Sequence, residues 1–423
     1  LVLDDIIYTW YFDRQGAIQC SGINFVQDLP RFMVLLLVMQ RMPYAKWGHH
    51  TLPELVSSGE IQVHDEKLGG VVDLKFNLES GKRTTHFGLR GRATTVFPVD
   101  SMALSALVPQ LPHDNPHNPT DKLVAKLYWP EEERESEADI LQKVYEIAKN
   151  DKEGKVKLHV PEMVWSHKFE DTSTANIRRA LGIDDAKKGR RVFYMIVFRK
   201  LDPIMNLNGK EFLKAWWQTV ECHYVLWKNG VHHRDISPSN LMVYKTSDGR
   251  WIGVLNDFDL SSTQDTPLGQ ERTGTVPFMA LHLLTKKGIN GQVKHTYQHN
   301  AESFIWVLTW VCICYEDGAY IGKDTELHDW LRTDALGCQE KKSNFLTIGR
   351  KVIRPSSSHR GIWKTAQSCL RAVAKHYLLE EESEVEDESE VEEEFEVEPV
   401  LEDEPEDVFD SWLGNNVPGI IKL

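Results

Sequence analysis

The 423 residues, 41% of them hydrophobic, suffice for two or three domains with substantial cores, and the formal charge of −14 is concentrated in one place. Residues 380–410 hold 19 Asp and Glu and no Lys or Arg; elsewhere 44 acids face 49 bases, a net of +5. Such a body tolerates a polyanionic ligand such as a nucleotide and is too weakly basic to argue for a nucleic-acid partner.

In chain order, residues 1–80 alternate aromatic and polar positions in "IIYTWYF" and then carry the apolar run "FMVLLLVMQ" (32–40), which predicts a small mixed α/β extension. That run is far short of the ~20 residues a membrane helix needs, so no membrane partner is expected. "THFGLRGRATTVFPV" (85–99) sets strand formers on both sides of a glycine-containing turn, and "DNPHNPTD" (114–121) reads as a loop. "KLVAKLYW" (122–129) is a buried strand ended by Pro130, and residues 131–149 show helical periodicity with an acidic first turn. The strand-like "VFYMIVF" (192–198) precedes a long helix over 210–230 that Gly230 stops. A hairpin pattern over 241–258 and a mostly helical stretch to about residue 378 follow. The acid-rich remainder, with its short repeat "SEVE" at 383–386 and 389–392, is expected to be a largely disordered tail. The order implies an α+β fold, with a β-rich lobe (81–204) and an α-rich lobe (205–378) between the extension (1–80) and the acidic tail (379–423). The six cysteines form no C-x-x-C pair and read as reduced residues of an intracellular protein, compartment undetermined. The histidine pairs, His49–His50 and His113/His117 among them, sit in no convincing zinc frame.

The chemistry concentrates in "HHRDISPSN" (232–240). Phosphoryl transfer asks a protein to position an acceptor hydroxyl, accept its proton and hold Mg²⁺ against phosphates. Asp235 followed five residues later by Asn240 supplies a base and a metal ligand on one loop. Downstream, "GVLNDFDLS" (253–261) leads an apolar strand into Asp257, and the intervening hairpin brings Asn240 and Asp257 toward one metal. Upstream, Lys126 in "LVAK" reaches nucleotide phosphates from a strand. A carboxylate on the next helix is expected to hold its ammonium, Glu137 ahead of the rivals Glu133 and Glu135.

The ordered set LVAK, SEADIL, HHRDISPSN, NDFDLS and RTGTVPFMA resembles the protein kinase fold and, more narrowly, the fungal-type protein kinase family. "WYFDRQGAIQCSGINFVQDLPRF" (10–32) is similar to the region that precedes the lobes in that family, and "HNAESFIWVLTW" (299–310) to its large-lobe helix. The resemblance covers most of the chain to about residue 375. It implies a two-lobed Ser/Thr protein kinase using ATP and Mg²⁺ on protein substrates. Lys126 would contact phosphates, Asp235 would be the catalytic base, Asn240 and Asp257 the metal ligands, and Leu201–Ile204 would adjoin the adenine. Arg234 would pair with a phosphorylated segment over about 258–282, with Thr273 and Thr275 as regulatory candidates beside Ser261, Ser262, Thr263 and Thr266.

Several positions depart from the pattern. The glycine motif set on Val96 meets Leu89, Gly91 and Thr94, so Gly91 alone remains to cradle phosphate, or is a plain hairpin residue. Asp259 stands where many kinases carry glycine, and Ser237 where many carry a phosphate-contacting Lys. His282 stands where a Glu is expected to pair with a buried Arg, and Asn300 where an Asp is expected to hold the catalytic loop. These departures leave two alternatives open, a catalytically weak pseudokinase or scaffold and a small-molecule kinase. The acidic tail is expected to bind either the basic body of its own chain or a basic partner.

Overall fold

The computed structural model describes residues 2–42, 59–77, 84–85, 90–107, 122–183, 189–263, 274–387 and 404–422. The expectations placed on His49, His50, Leu89, the loop 114–121, Thr266, Thr273 and the second "SEVE" repeat lie outside them. The chain forms two compact units.

The first unit holds residues 1–114, 119–138 and 162–200. Its hairpin β1 (Trp10–Asp13) and β2 (Gly16–Gln19) is followed by α1 (Leu29–Arg41), which buries no residue and exposes Met33, Val34, Leu36, Leu37 and Val38. Next come β3 (Glu60–Asp65), β4 (Gly70–Phe76), β5 (Thr84–Thr85), β6 (Thr95–Asp100) and β7 (Leu123–Tyr128). The first two residues of helix α2 (Glu137–Asn150), with β8 (Met163–Phe169), α3 (Thr174–Ala180) and β9 (Phe193–Arg199), complete this unit; the rest of α2 belongs to the second. The strands make one antiparallel sheet in the order β8-β9-β7-β6-β4-β3, with β5 on β6.

Strand side chains alternate faces. Leu123, Ala125 and Leu127 of the central strand β7 therefore join a core with Leu74, Phe97 and Val197. Lys126 goes to the opposite face with Tyr128, whose ring centre lies 4.9 Å from its ammonium. The expected boundary at residue 80 falls inside this unit, because β4 pairs with β6 through Lys75–Asp100 and Phe76–Val99. The β1–β2 hairpin is pinned to α3 by a buried Asp13–Arg178 ion pair (2.8 Å) and by the Thr174 hydroxyl donating to the Gln15 amide oxygen (2.8 Å).

The second unit holds residues 115–118, 139–161 and 201–423. A small sheet of β10 (Asp202–Pro203), β11 (Leu241–Lys245) and β12 (Trp251–Leu255) lies against α4 (Gly209–Lys228). The approach is so close that a Cβ on Gly253 would meet the Ala215 carbonyl oxygen at 2.1 Å, and glycine is required there. Helix α5 (Tyr297–Cys314) is apolar on all sides and buries every residue but Gln298. Helix α7 (Trp363–Asp387) packs along it, and α6 (Ala335–Asn344) reaches it through Lys342 over the Trp306 ring.

The disordered tail expected over 379–423 needs correction. Helix α7 runs on to Asp387, and residues 404–422 fold back in short helical turns. The reason lies in apolar residues spaced among the acids: Val408, Trp412, Leu413, Val417 and Ile421 are all buried. Phe409 stacks on Tyr224 at 4.2 Å, and Trp412 meets His376 at 5.1 Å. Glu406 also lies 3.6 Å from Lys228, but both are exposed, so this contact contributes little.

Candidate active site

Each unit carries its own part of the candidate set. In the first, the Lys126 ammonium bonds the Glu137 carboxylate at 2.6 Å, with both side chains almost fully buried. This resolves the choice among Glu133, Glu135 and Glu137. Lys126 is fixed by ladder pairing to Val96 and Ile196 on either side, and Glu137 by the first turn of α2. A buried, charge-assisted pair of this kind holds the lysine head at one point.

The glycine connection behaves differently from the expectation of a phosphate cradle. Gly91 has φ +103, a conformation that favours glycine. Its N–H, however, donates to the Arg14 carbonyl in the turn of the β1–β2 hairpin (3.0 Å), and the Arg92 carbonyl accepts from Trp129 N–H (2.7 Å). The N-terminal hairpin thus occupies the Gly91 amide. The sequence shows no sign of this, because Arg14 and Gly91 are distant in the chain.

In the second unit, α4 ends at a Gly230 with φ +80 and delivers the loop 232–240. His232 forms a two-way backbone bridge with Ser262. His233 is buried; its Nδ1 accepts the Asp235 N–H (3.4 Å), its Nε2 donates to the Asn256 carbonyl (2.9 Å), and its ring packs edge-on to Phe258 at 5.0 Å. The packing role read for His233 is thus also a hydrogen-bonding one, with the proton on Nε2. Asn240 Nδ2 donates to the Asp235 carbonyl (2.8 Å) and to Asp235 Oδ2 (3.1 Å). The opposite oxygen, Oδ1, accepts both the N–H and the Oγ–H of Thr275, each at 3.0 Å.

The β11–β12 hairpin forms where the sequence predicts one. Leu241 pairs with Leu255, and Asn256 N–H donates to the Asn240 carbonyl (2.8 Å), setting Asp257 next to Asn240. Asp257 has φ +64 and Arg234 φ +65. Left-handed backbone at non-glycine residues costs free energy and gathers at functional loops. From α2, Lys143 donates to the Thr263 hydroxyl (2.9 Å), and the segment after α2 joins β12 through His159 Nδ1 and the Gly253 carbonyl (2.7 Å). Burial pushes His159 below the usual histidine range, and His223 of α4 well below it.

The remaining positions are placed as follows. Leu201 packs on a small cluster of Tyr244, Ile252 and Val254. Ser237 is buried, with its Oγ 2.9 Å from Ser239 Oγ. Thr275, expected as a phosphorylation candidate, has its hydroxyl on Asp235, where a phosphate would set two anions in contact. Asn300 also departs from its expected role. Its amide turns to Thr296 O (3.3 Å) and His295 Nε2 (3.2 Å) near the start of its own helix, while the loop 232–240 is tied by His232–Ser262 and His233–Asn256. An uncharged amide finds such local backbone partners readily. His282 packs edge-on to Tyr377 at 5.0 Å.

Over 70 residues the chain is 34% identical to calcium/calmodulin-dependent protein kinase type 1 of Caenorhabditis briggsae, and likewise to that of Caenorhabditis elegans. These matches cover 16% of this chain and 19% and 20% of the relatives, so it spans about a fifth of their length. A solved structure of vaccinia related kinase 3 gives a TM-score of 0.42 at 11% identity over 74% of this chain and 83% of that one, too low to carry an argument. The profile described as fungal protein kinase matches residues 1–312, well over half of the sequence, and the chain belongs to that family.

Proposed function

We propose that the protein transfers the γ-phosphate of Mg-ATP to Ser and Thr hydroxyls of proteins. The observation that carries this reading is the loop 235–240 with Asp257 beside it. Asp235 is oriented by donors on both oxygens, and Asn240 is tied to Asp235 through its amide nitrogen and to Asn256 through its backbone. With both Nδ2 hydrogens given to Asp235, the atom Asn240 offers a metal is Oδ1. Together with the Asp257 carboxylate this makes an all-oxygen donor set, which suits Mg²⁺. Bound there, Mg²⁺ would neutralise charge on the phosphates. Asp235 orients the acceptor hydroxyl and takes its proton, and Lys126, steadied by Glu137, binds phosphate. The Ser/Thr class rests on the fungal protein kinase resemblance. A weakly active or scaffolding role is the second reading, favoured by the bond from Gly91 to Arg14.

The test incubates the purified chain with Mg²⁺, γ-labelled ATP and generic basic proteins, beside Asp235→Asn and Asp257→Ala. Label on protein with the wild type and its loss in both variants is the expected outcome. Full activity in Asp257→Ala would refute the metal role. No transfer by any of the three moves the reading to the scaffold, and a thermal shift with Mg-ATP then reports whether nucleotide still binds.

A further inference from the structure

The Glu that the kinase pattern expects at residue 282 is a histidine, yet a buried acid and a buried base meet the same segment from other elements. Glu302 of α5 is fully buried. Its Oε1 accepts the Leu281 N–H (3.0 Å) and the Trp306 Nε1–H (2.8 Å), and its Oε2 accepts the Tyr377 hydroxyl (2.7 Å). Lys342 of α6 is fully buried as well. Its ammonium donates to the Met279 carbonyl and lies 4.3 Å above the Trp306 ring. The acid therefore holds the N–H of residue 281, the base holds the C=O of residue 279, and Trp306 bridges them by its N–H and its face. Burial pushes Lys342 down to about 8, opposed by the nearby Glu302.

The held residues connect directly to the catalytic carboxylate. Met279 and Phe278 close a tight turn on Val276 (3.2 Å) and Thr275 (2.9 Å), leaving little slack between the gripped residues and Thr275. Thr275 gives Asp235 Oδ1 its two donors. A buried charge is costly unless paired and hydrogen-bonded, so two of them on one backbone segment form a stiff mount.

We propose that Glu302 and Lys342 are positioning residues for phosphoryl transfer, acting through segment 275–281 to set the donors that Thr275 presents to Asp235. This rests on the kinase reading above. The test is Lys342→Met in the full chain, which keeps the stem and removes the donor. Amide hydrogen exchange at Thr275 and Leu281 is read against Gly253, whose N–H is held independently by Gln218 (2.8 Å). The expected result is exchange at least about ten-fold faster at Thr275 and Leu281 with Gly253 unchanged. It is accompanied by a kcat lower by about ten-fold or more and a KM for ATP within about two-fold. Unchanged protection at Thr275, or equal loosening at Gly253, overturns the proposal. A wild type that transfers no phosphate defeats the kinase reading alone, since the exchange pattern still decides this one. Should Lys342→Met not fold, Glu302→Gln keeps the volume and an acceptor oxygen; it must show the same selective pattern at smaller size, and an unselective one overturns the proposal. Thr275→Ala combined with Lys342→Met closes the cycle: the two losses in kcat do not multiply if Lys342 acts through Thr275, and a full product overturns it.

Discussion

Thr275 donates to Asp235 twice, through its N–H and its Oγ–H. Thr275→Val keeps the shape and the N–H but loses the hydroxyl donor, and one hydrogen bond to a charged group is worth about 1.5–3 kcal/mol. The expected outcome is a kcat lower by roughly ten-fold or more in Thr275→Val and near wild type in Thr275→Ser, measured by labelled phosphate transfer. A Thr275→Ser variant as slow as Thr275→Val would show that the methyl group matters, not the hydroxyl. At this scale the sequence was informative where contacts are local: Asp235 and Asn240 bond each other on one loop, and Lys126 bonds Glu137 from a strand to the helix after it. It misled where partners are distant. Asn300 stood at an expected position but bonds beside itself, while Glu302 drew no attention although it is the lone acid in an otherwise uncharged α5.

Strands and helices around the candidate site were legible because β7, α2, α4 and the β11–β12 hairpin each carry clear periodicity and stop signals. The C-terminal segment was not, because 19 acids over 380–410 outweigh the few apolar residues that anchor it. Those residues decide its fate: Trp412 is buried against His376, and its neighbours fill the space beside α4, α5 and α7. Trp412→Ala is expected to cost about 3–5 kcal/mol, as large buried aromatics do. A lower urea midpoint would register this, and an unchanged midpoint would mean the segment docks without contributing stability. The N-terminal hairpin is the opposite case. Its strands were partly visible, but its attachment by Asp13–Arg178 and Arg14–Gly91 depends on pairings that no local pattern encodes.

For the molecule as a whole, buried histidines set an acid limit. His159 and His223 are pushed down by burial in the folded chain and titrate near 6.5 when exposed. Below that pH the unfolded chain takes up protons that the folded one refuses, so stability falls on acidification, by at most about 1.4 kcal/mol per pH unit for each such group. His223→Phe removes one of them. Urea unfolding at pH 7.5 and 5.5 is expected to show a smaller acid loss in the variant, and an equal loss would place the sensitivity elsewhere.

The return of residues 404–422 to the second unit changes what the acidic stretch is. Asp387 ends α7 and Glu404 opens the anchored segment, so the chain is held in the second unit on both sides of residues 388–403. Tethering at two points holds a chain at an effective concentration of roughly millimolar near its own body. It also means that continuity of the backbone there is dispensable for keeping the end in place. With a protease site inserted between 388 and 403, the severed C-terminal piece is expected to co-elute with the body on gel filtration and to part from it only in denaturant.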